Sequence, residues 1–220
     1  MSLSREIPLD PARSALLFVD VQNWSATPTG GGFSGLAADE LEARYGWFFR
    51  QLEAQTIPNM VRLQAACRAA GIEVMYTVVE SLTRDGRDRS LDYKITGFHV
   101  PPGSHDAQVI DALRPGPDEI ILPKTASSVF NATNIDYVLR NLGVAQLVIA
   151  GLITDQCVES AVRDACDRGY LVTLVTDACA TYSAERHAAS LRAVRGYCRQ
   201  RSTAEILAEL SHVAARRDAR

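Results

Sequence analysis

The chain alternates short apolar runs with longer stretches of helical periodicity. The first run, Ser14-Ala15-Leu16-Leu17-Phe18-Val19, ends in Asp20-Val21-Gln22-Asn23. Apolar residues at successive positions suit a strand buried on both faces, as in the centre of a parallel sheet. Further strands are predicted over 72–79, 119–122, 145–150 and 170–176; the third ends in Pro123-Lys124 and the fifth in Asp177. Helical patterns separate them. One runs from about residue 50 to 70 with Gly71 as its C-cap. A short one starts at a Ser104 cap and runs through Leu113, another covers 135–142 and ends at Gly143, and two more cover 184–195 and 203–216. Ser202 and Glu205 have capping-box spacing. Residues 24–46, with Pro28, Gly30-Gly31-Gly32 and Gly35, predict a long loop of the kind that forms lids or binding loops. Strands alternating with helices predict one doubly wound parallel α/β domain over 1–220, with helices on both faces of the sheet.

The fourth strand runs into Gly151-Leu152-Ile153-Thr154-Asp155-Gln156-Cys157. Beyond it, apolar residues at 158, 161, 162, 165 and 166 mark one face of a helix. The text therefore reads buried strand, tight turn, helix, with Thr154 or Asp155 placed to cap the helix. Cys157 falls in the first turn, where free N–H groups and the helix dipole favour a thiolate. In an open α/β sheet, this corner is where ligands bind. The competing reading is a small buried hydrophobe. Cys67 and Cys166 read that way, on helical apolar faces. Cys179 and Cys198 lie in or near segment ends with no partner at redox or metal spacing.

Composition narrows the partners. The net charge is −3 and the basic residues are scattered, which argues against nucleic acid or an anionic membrane as partner. Five cysteines without disulfide-scaffold spacing suit a reducing cytoplasm. The first 15 residues lack an apolar core, which predicts no signal peptide, and no apolar run approaches the ~18 residues of a membrane span.

Three strands end in Asp20, Lys124 and Cys157, and in a parallel sheet those ends share one edge. Asp20 alone reads equally as a turn residue or a site residue. Together, a carboxylate can take the thiol proton while an ammonium holds the carboxylate and favours the thiolate. Trp24, Tyr45, Trp47, Phe48 and Phe49 lie in or beside the long loop, as packing residues or as a pocket wall or subunit interface. Arg84, Arg87 and Arg89 follow the second strand. They are either a solvated surface or the source of one clamp for a substrate carboxylate.

Asp20-Val21-Gln22-Asn23, Pro123-Lys124 with Ser127, Ser128 and Phe130, and Gly151 through Val158 with Arg163-Asp164-Ala165 resemble the isochorismatase-like cysteine hydrolase superfamily. The likeness extends from about residue 12 to 210, and the motif around Cys157 is its most specific part. It implies a Rossmann-like six-stranded sheet and a triad of Asp20, Lys124 and Cys157. It also implies a cis peptide at Leu152-Ile153, an oxyanion hole from the N–H groups of Ile153 and Cys157, and a homodimer or homotetramer. Nicotinamidases of the superfamily carry an Asp-x-His zinc site after the second strand. Residues 77–89 contain no histidine, and His99, His105, His187 and His212 lack ligand spacing, so neither metal nor cofactor is expected. Isochorismatases proper generally lack the cysteine, so Cys157 favours C–N hydrolysis. The segments 20–32 and around Cys157 are most similar to ureidoacrylate and carbamoyl-type amidohydrolases.

The resulting expectation is an amidohydrolase for a small amide, ureido or carbamoyl compound. Gln22, Trp24, Arg84, Arg87 and Arg89 are its candidate substrate-binding residues. The alternatives are vinyl-ether hydrolysis with Asp20 as acid, and a redox sensor or idle scaffold with a reactive Cys157.

Overall fold

A computed structural model of the chain describes residues 4–218. Its centre is a sheet of six parallel strands: β1 (Ser14–Val19), β2 (Glu73–Val79), β3 (Ile120–Lys124), β4 (Gln146–Leu152), β5 (Leu171–Ala180) and β6 (Arg199–Arg201). The spatial order is β3-β2-β1-β4-β5-β6. The chain builds outward from β1 to β3, returns to place β4 beside β1, and builds outward the other way. The order therefore reverses between β1 and β4, and the crevice beyond their C-terminal ends is the binding position of such sheets.

Nine helices among the described residues surround the sheet. They are α1 (Asn23–Ala26), α2 (Ala38–Gln51), α3 (Ile57–Ala70), α4 (Leu91–Ile95), α5 (Val129–Ala132), α6 (Ile135–Asn141), α7 (Glu159–Asp167), α8 (Ala184–Val194) and α9 (Thr203–Asp218). Alternation along each strand divides the core in two. Leu16, Phe18, Tyr76 and Val148 pack with Phe48, Met60, Leu63 and Ile206 from α2, α3 and α9. Ala15, Leu17, Val19, Met75 and Ile149 pack on the other face with Leu139, Val158, Ala161, Val162 and Val194. All six residues of β1 and all seven of β4 are buried, which explains their unbroken apolar runs.

Several predicted boundaries move. The stretch 24–46 is only partly loop, since α2 begins at Ala38. The Ser104–Leu113 stretch is two 3-10 turns, and the Ser104 side chain caps neither. β5 continues past Asp177 to Ala180, where Cys179 and Ala180 pair with Gly151 and Leu152 of β4, while the Asp177 carboxylate accepts from Thr203 N at 2.7 Å at the start of α9. The sequence pattern did not mark β6, a polar edge strand of Arg-Gln-Arg. Ser202 and Glu205 do form the capping box, with Ser202 N donating to Glu205 Oε2 at 2.7 Å. Gly71 ends α3 at φ 71°, a left-handed cap.

Candidate active site

β1 delivers Asp20 to the crevice. Asp20 is the described non-glycine residue with positive φ, at 53°, a backbone region that aspartate tolerates better than most residues. Its N–H donates to Thr77 O of β2 at 3.0 Å, and Thr77 Oγ1 donates to Asp20 Oδ1 at 2.7 Å. β3 delivers Lys124, its last residue and fully buried. Lys124 Nζ stands 2.8 Å from Asp20 Oδ2 as a buried ion pair. The ammonium also donates to Ala126 O at 2.8 Å and to Cys157 Sγ at 3.4 Å. Among the described residues, Asp20 Oδ2 accepts no aligned hydrogen bond, and Asp20 is near enough to the Cys157 thiol to push it upward. The crevice thus brings Asp20, Lys124 and Cys157 together from three strands.

Cys157 does not sit on a capped α-helical turn. Residues Thr154–Val158 form a π-helical turn leading into α7, and no side chain caps it. Thr154 and Asp155 are engaged elsewhere: Thr154 Oγ1 is 2.9 Å from His187 Nδ1, and Asp155 accepts from Thr181 and Arg186. The peptide between Leu152 and Ile153 is cis. Just before it, Gly151 has φ 135°, and a Cβ there would stand 2.2 Å from Val19 O of β1. Only glycine lets β4 approach β1 this closely at the crevice.

Electrostatics correct one expectation. Burial pushes the Cys157 thiol up to about 11; Lys124 opposes that shift and Asp20 reinforces it. The direction favours the neutral thiol, because desolvation outweighs the helix end and the lysine. Burial alone would lower the Lys124 ammonium, but the neighbouring groups, Asp20 foremost, outweigh it and the shift is upward.

A cavity of about 510 Å³ opens onto Cys157, with Asp20, Ile153, Tyr93, Phe98 and Tyr182 on its wall. Tyr93 was missing from the sequence-derived candidates. It lies on α4, its hydroxyl is 4.0 Å from Cys157 Sγ, and its ring packs on Phe98 with centroids 4.7 Å apart. Nothing in the local pattern marks it, since its place depends on how the 81–99 segment folds back over the crevice. Thr77 had a signal: it is the small hydroxyl residue within an otherwise apolar β2 core.

The expected substrate-binding residues lie elsewhere or are occupied. Gln22 borders the cavity, but its amide is spent on backbone: Nε2 donates to Val79 O and Asp106 O, and Oε1 accepts from Val79 N. Trp24 does not reach the cavity; it packs edge-on against Phe98 at 5.1 Å. Arg84 is exposed, and Arg87 pairs with Asp85 at 3.0 Å on the surface. Arg89 donates to the carbonyls of Gly86, Tyr93 and Phe98, so it pins the aromatic wall from outside. The polar loop folds on itself through these contacts, which turns its arginines away from the site. Among the described residues no cluster of three or more His, Cys, Asp or Glu side chains could hold a metal.

Residues 14–206 match the family described as Isochorismatase domain. The chain belongs to the isochorismatase family. It is accordingly a hydrolase of that family, with a six-stranded parallel sheet as its fold. It is 33% identical over 188 residues to a ureidoacrylate amidohydrolase RutB of Rhizobium rhizogenes, covering 78% of this chain and 72% of the relative. The RutB of Agrobacterium fabrum is 32% identical, with 78% of each chain covered. Among solved structures, a cysteine hydrolase from Pseudomonas syringae pv. phaseolicola superposes with a TM-score of 0.80 at 26% identity, covering 94% of this chain and 96% of that one. The N-carbamoylsarcosine amidase of Thermoplasma acidophilum gives 0.66 at 27% identity, covering 87% and 96%. Among the described residues no helix is long and apolar enough to cross a membrane.

Proposed function

We propose that this protein is a cysteine amidohydrolase that cleaves a C–N bond of a small amide, ureido or carbamoyl compound through a thioester on Cys157. The observation that carries the reading is the linked contact of thiol, ammonium and carboxylate at the floor of a cavity: Lys124 Nζ at 3.4 Å from Cys157 Sγ and 2.8 Å from Asp20 Oδ2. The relatives named for ureidoacrylate and N-carbamoylsarcosine, both substrates with a carbonyl on nitrogen, support the same bond class.

In this reading each group of the crevice has a step. A neutral thiol beside a carboxylate is a proton donor–acceptor pair waiting for an electrophile. Asp20 takes the Sγ proton as sulfur attacks the carbonyl carbon, and the C=O π pair moves to oxygen. The N–H groups of Ile153 and Cys157 hold that oxyanion. On collapse the C–N bond breaks, and the Asp20 proton passes to the departing nitrogen. Water then enters, gives a proton to Asp20 and attacks the thioester. The C–S bond breaks, the acid leaves, and the proton returns to sulfur. Lys124 keeps Asp20 oriented and balances negative charge throughout. None of these steps calls for a metal or cofactor.

The test is a screen of ammonia and amine release over small amides, ureides and carbamoyl compounds, with intact-mass detection of an acyl adduct. The expected result is turnover with an adduct on Cys157, both lost in Cys157→Ala. Ammonia or amine release that persists in Cys157→Ala would overturn the thioester route through Cys157.

A further inference from the structure

The cavity wall has a charge character that the bond class alone does not dictate. The charged side chains among its lining residues are two carboxylates, Asp20 at the floor and Asp92 at the exposed rim. Asp20 is balanced by Lys124, so that pair is nearly neutral to a ligand. Asp92 lies in the first turn of α4 and leaves one net negative charge at the mouth. Between floor and rim stand the rings of Tyr93, Phe98 and Tyr182. Carboxylate and aromatic faces together are the chemistry that receives an ammonium or a neutral group.

The cations around this wall are already engaged. Lys124 is fully buried and holds Asp20, Ala126 O and Cys157. Arg186 stacks over Tyr182 at 5.1 Å, but its Nε is held by Asp155 at 2.6 Å. Arg89 spends its donors on the carbonyls that carry the wall. Lys94, the basic residue of α4, does not line the cavity. A substrate carboxylate entering here would shed water without a charge-assisted partner, beside a like charge, and both effects oppose binding.

We infer that the site selects substrates whose end remote from the scissile bond is neutral or cationic, that Asp92 sets this preference, and that a carboxylate-tailed ureide such as ureidoacrylate is a poor substrate. The inference rests on the C–N hydrolase reading for its turnover arm, and on the cavity alone for its binding arm.

Three ureas of one skeleton test it: 3-ureidopropionate, 3-ureidopropionamide and (3-aminopropyl)urea, with tail charges of −1, 0 and +1. Turnover is measured on the wild-type chain. Affinity is measured by ligand-observed NMR on Cys157→Ala, where no reaction can intervene. The carboxylate is expected to be at least about tenfold below the amide in kcat/KM and in affinity, and the amine at or above the amide. Asp92→Asn is expected to narrow the amine-to-carboxylate ratio by about three- to tenfold, with its folding checked by circular dichroism. A carboxylate that matches or beats the amide would overturn the inference and point to a cation supplied by a second copy of the chain. An unchanged ratio in Asp92→Asn, or binding of none of the three, overturns it as well. If the binding order holds but no urea is hydrolysed, the hydrolase reading fails and the selectivity stands.

Discussion

At the scale of single residues, the site turns on where one proton rests. A cysteine activated in advance would lose its proton near neutrality. Here burial holds the Cys157 thiol up at about 11, and the buried Lys124–Asp20 pair gives it a base 2.8 Å from an ammonium instead of a free positive field. A raised pKa keeps the protonated form dominant to higher pH. The iodoacetamide rate at Cys157 of the substrate-free protein should therefore climb about tenfold per pH unit from pH 7 to 10, with no plateau near neutrality. Peptide-resolved mass spectrometry reads this site by site, and a plateau below pH 8 would mean a preformed thiolate. The sequence made Asp20, Lys124 and Cys157 legible because each lies at or just beyond the C-terminal end of a strand, and parallel strands end on one edge. It did not show the thiol's burial, because that depends on what covers the crevice, here Tyr93, Phe98 and Tyr182. Those belong to segments with no periodic pattern.

At the scale of elements, α8 supports the turn that carries Cys157. His187 Nδ1 meets Thr154 Oγ1 at 2.9 Å, Ser190 Oγ donates to Thr154 O at 3.3 Å, and Arg186 holds Asp155. Burial lowers the His187 pKa below its usual 6.5, against smaller upward contributions from the Thr176 backbone and Asp155. The neutral ring can accept from the Thr154 hydroxyl; an imidazolium cannot. A depressed folded pKa means the unfolded chain binds the proton first. The stabilisation is present above about pH 6.5 and is lost as pH falls through the folded value. The drop in Tm between pH 7 and 5.5 should therefore be smaller in His187→Asn than in the wild type. Equal drops would remove His187 from the support of the turn. Neither α8's partners nor the edge strand β6 could be read from the chain. Arg199–Arg201 has no apolar face, and its place is secured by Arg199 reaching Thr173 Oγ1 at 3.1 Å and Glu209 Oε2 at 3.1 Å.

At the scale of the whole molecule, the crevice exists because two strands approach closely and then diverge. β1 and β4 are the pair at which the sheet order reverses, and both are buried throughout. That part of the fold was legible: continuous apolar runs demand cover on both faces, which only the centre of a doubly wound sheet provides. What the runs do not reveal is the tolerance at their closest point. A Cβ on Gly151 would meet Val19 O at 2.2 Å and Val19 N at 2.6 Å, and the residue has φ 135°. Backbone cannot step aside as a side chain can. Gly151→Ala must therefore part β1 from β4 next to Asp20 on one strand and the Cys157 turn on the other. Overpacking and an unfavourable φ together cost about 3–5 kcal/mol, or a fall in Tm of roughly 6–20 °C for a chain of this size. Gly71 is the control, because its φ of 71° is also left-handed but a Cβ there meets nothing within 4 Å. Gly71→Ala should cost only about 1 kcal/mol, or ~2–4 °C, and leave hydrolysis untouched. Differential scanning fluorimetry on both variants decides the matter, with turnover measured at a temperature where Gly151→Ala is still folded. Activity in that variant should fall further than its loss of folded protein explains, since the separation moves Asp20 relative to Cys157. A Gly151→Ala protein with the Tm and turnover of Gly71→Ala would show that the two strands can part without cost, and that the crevice does not depend on their closest approach.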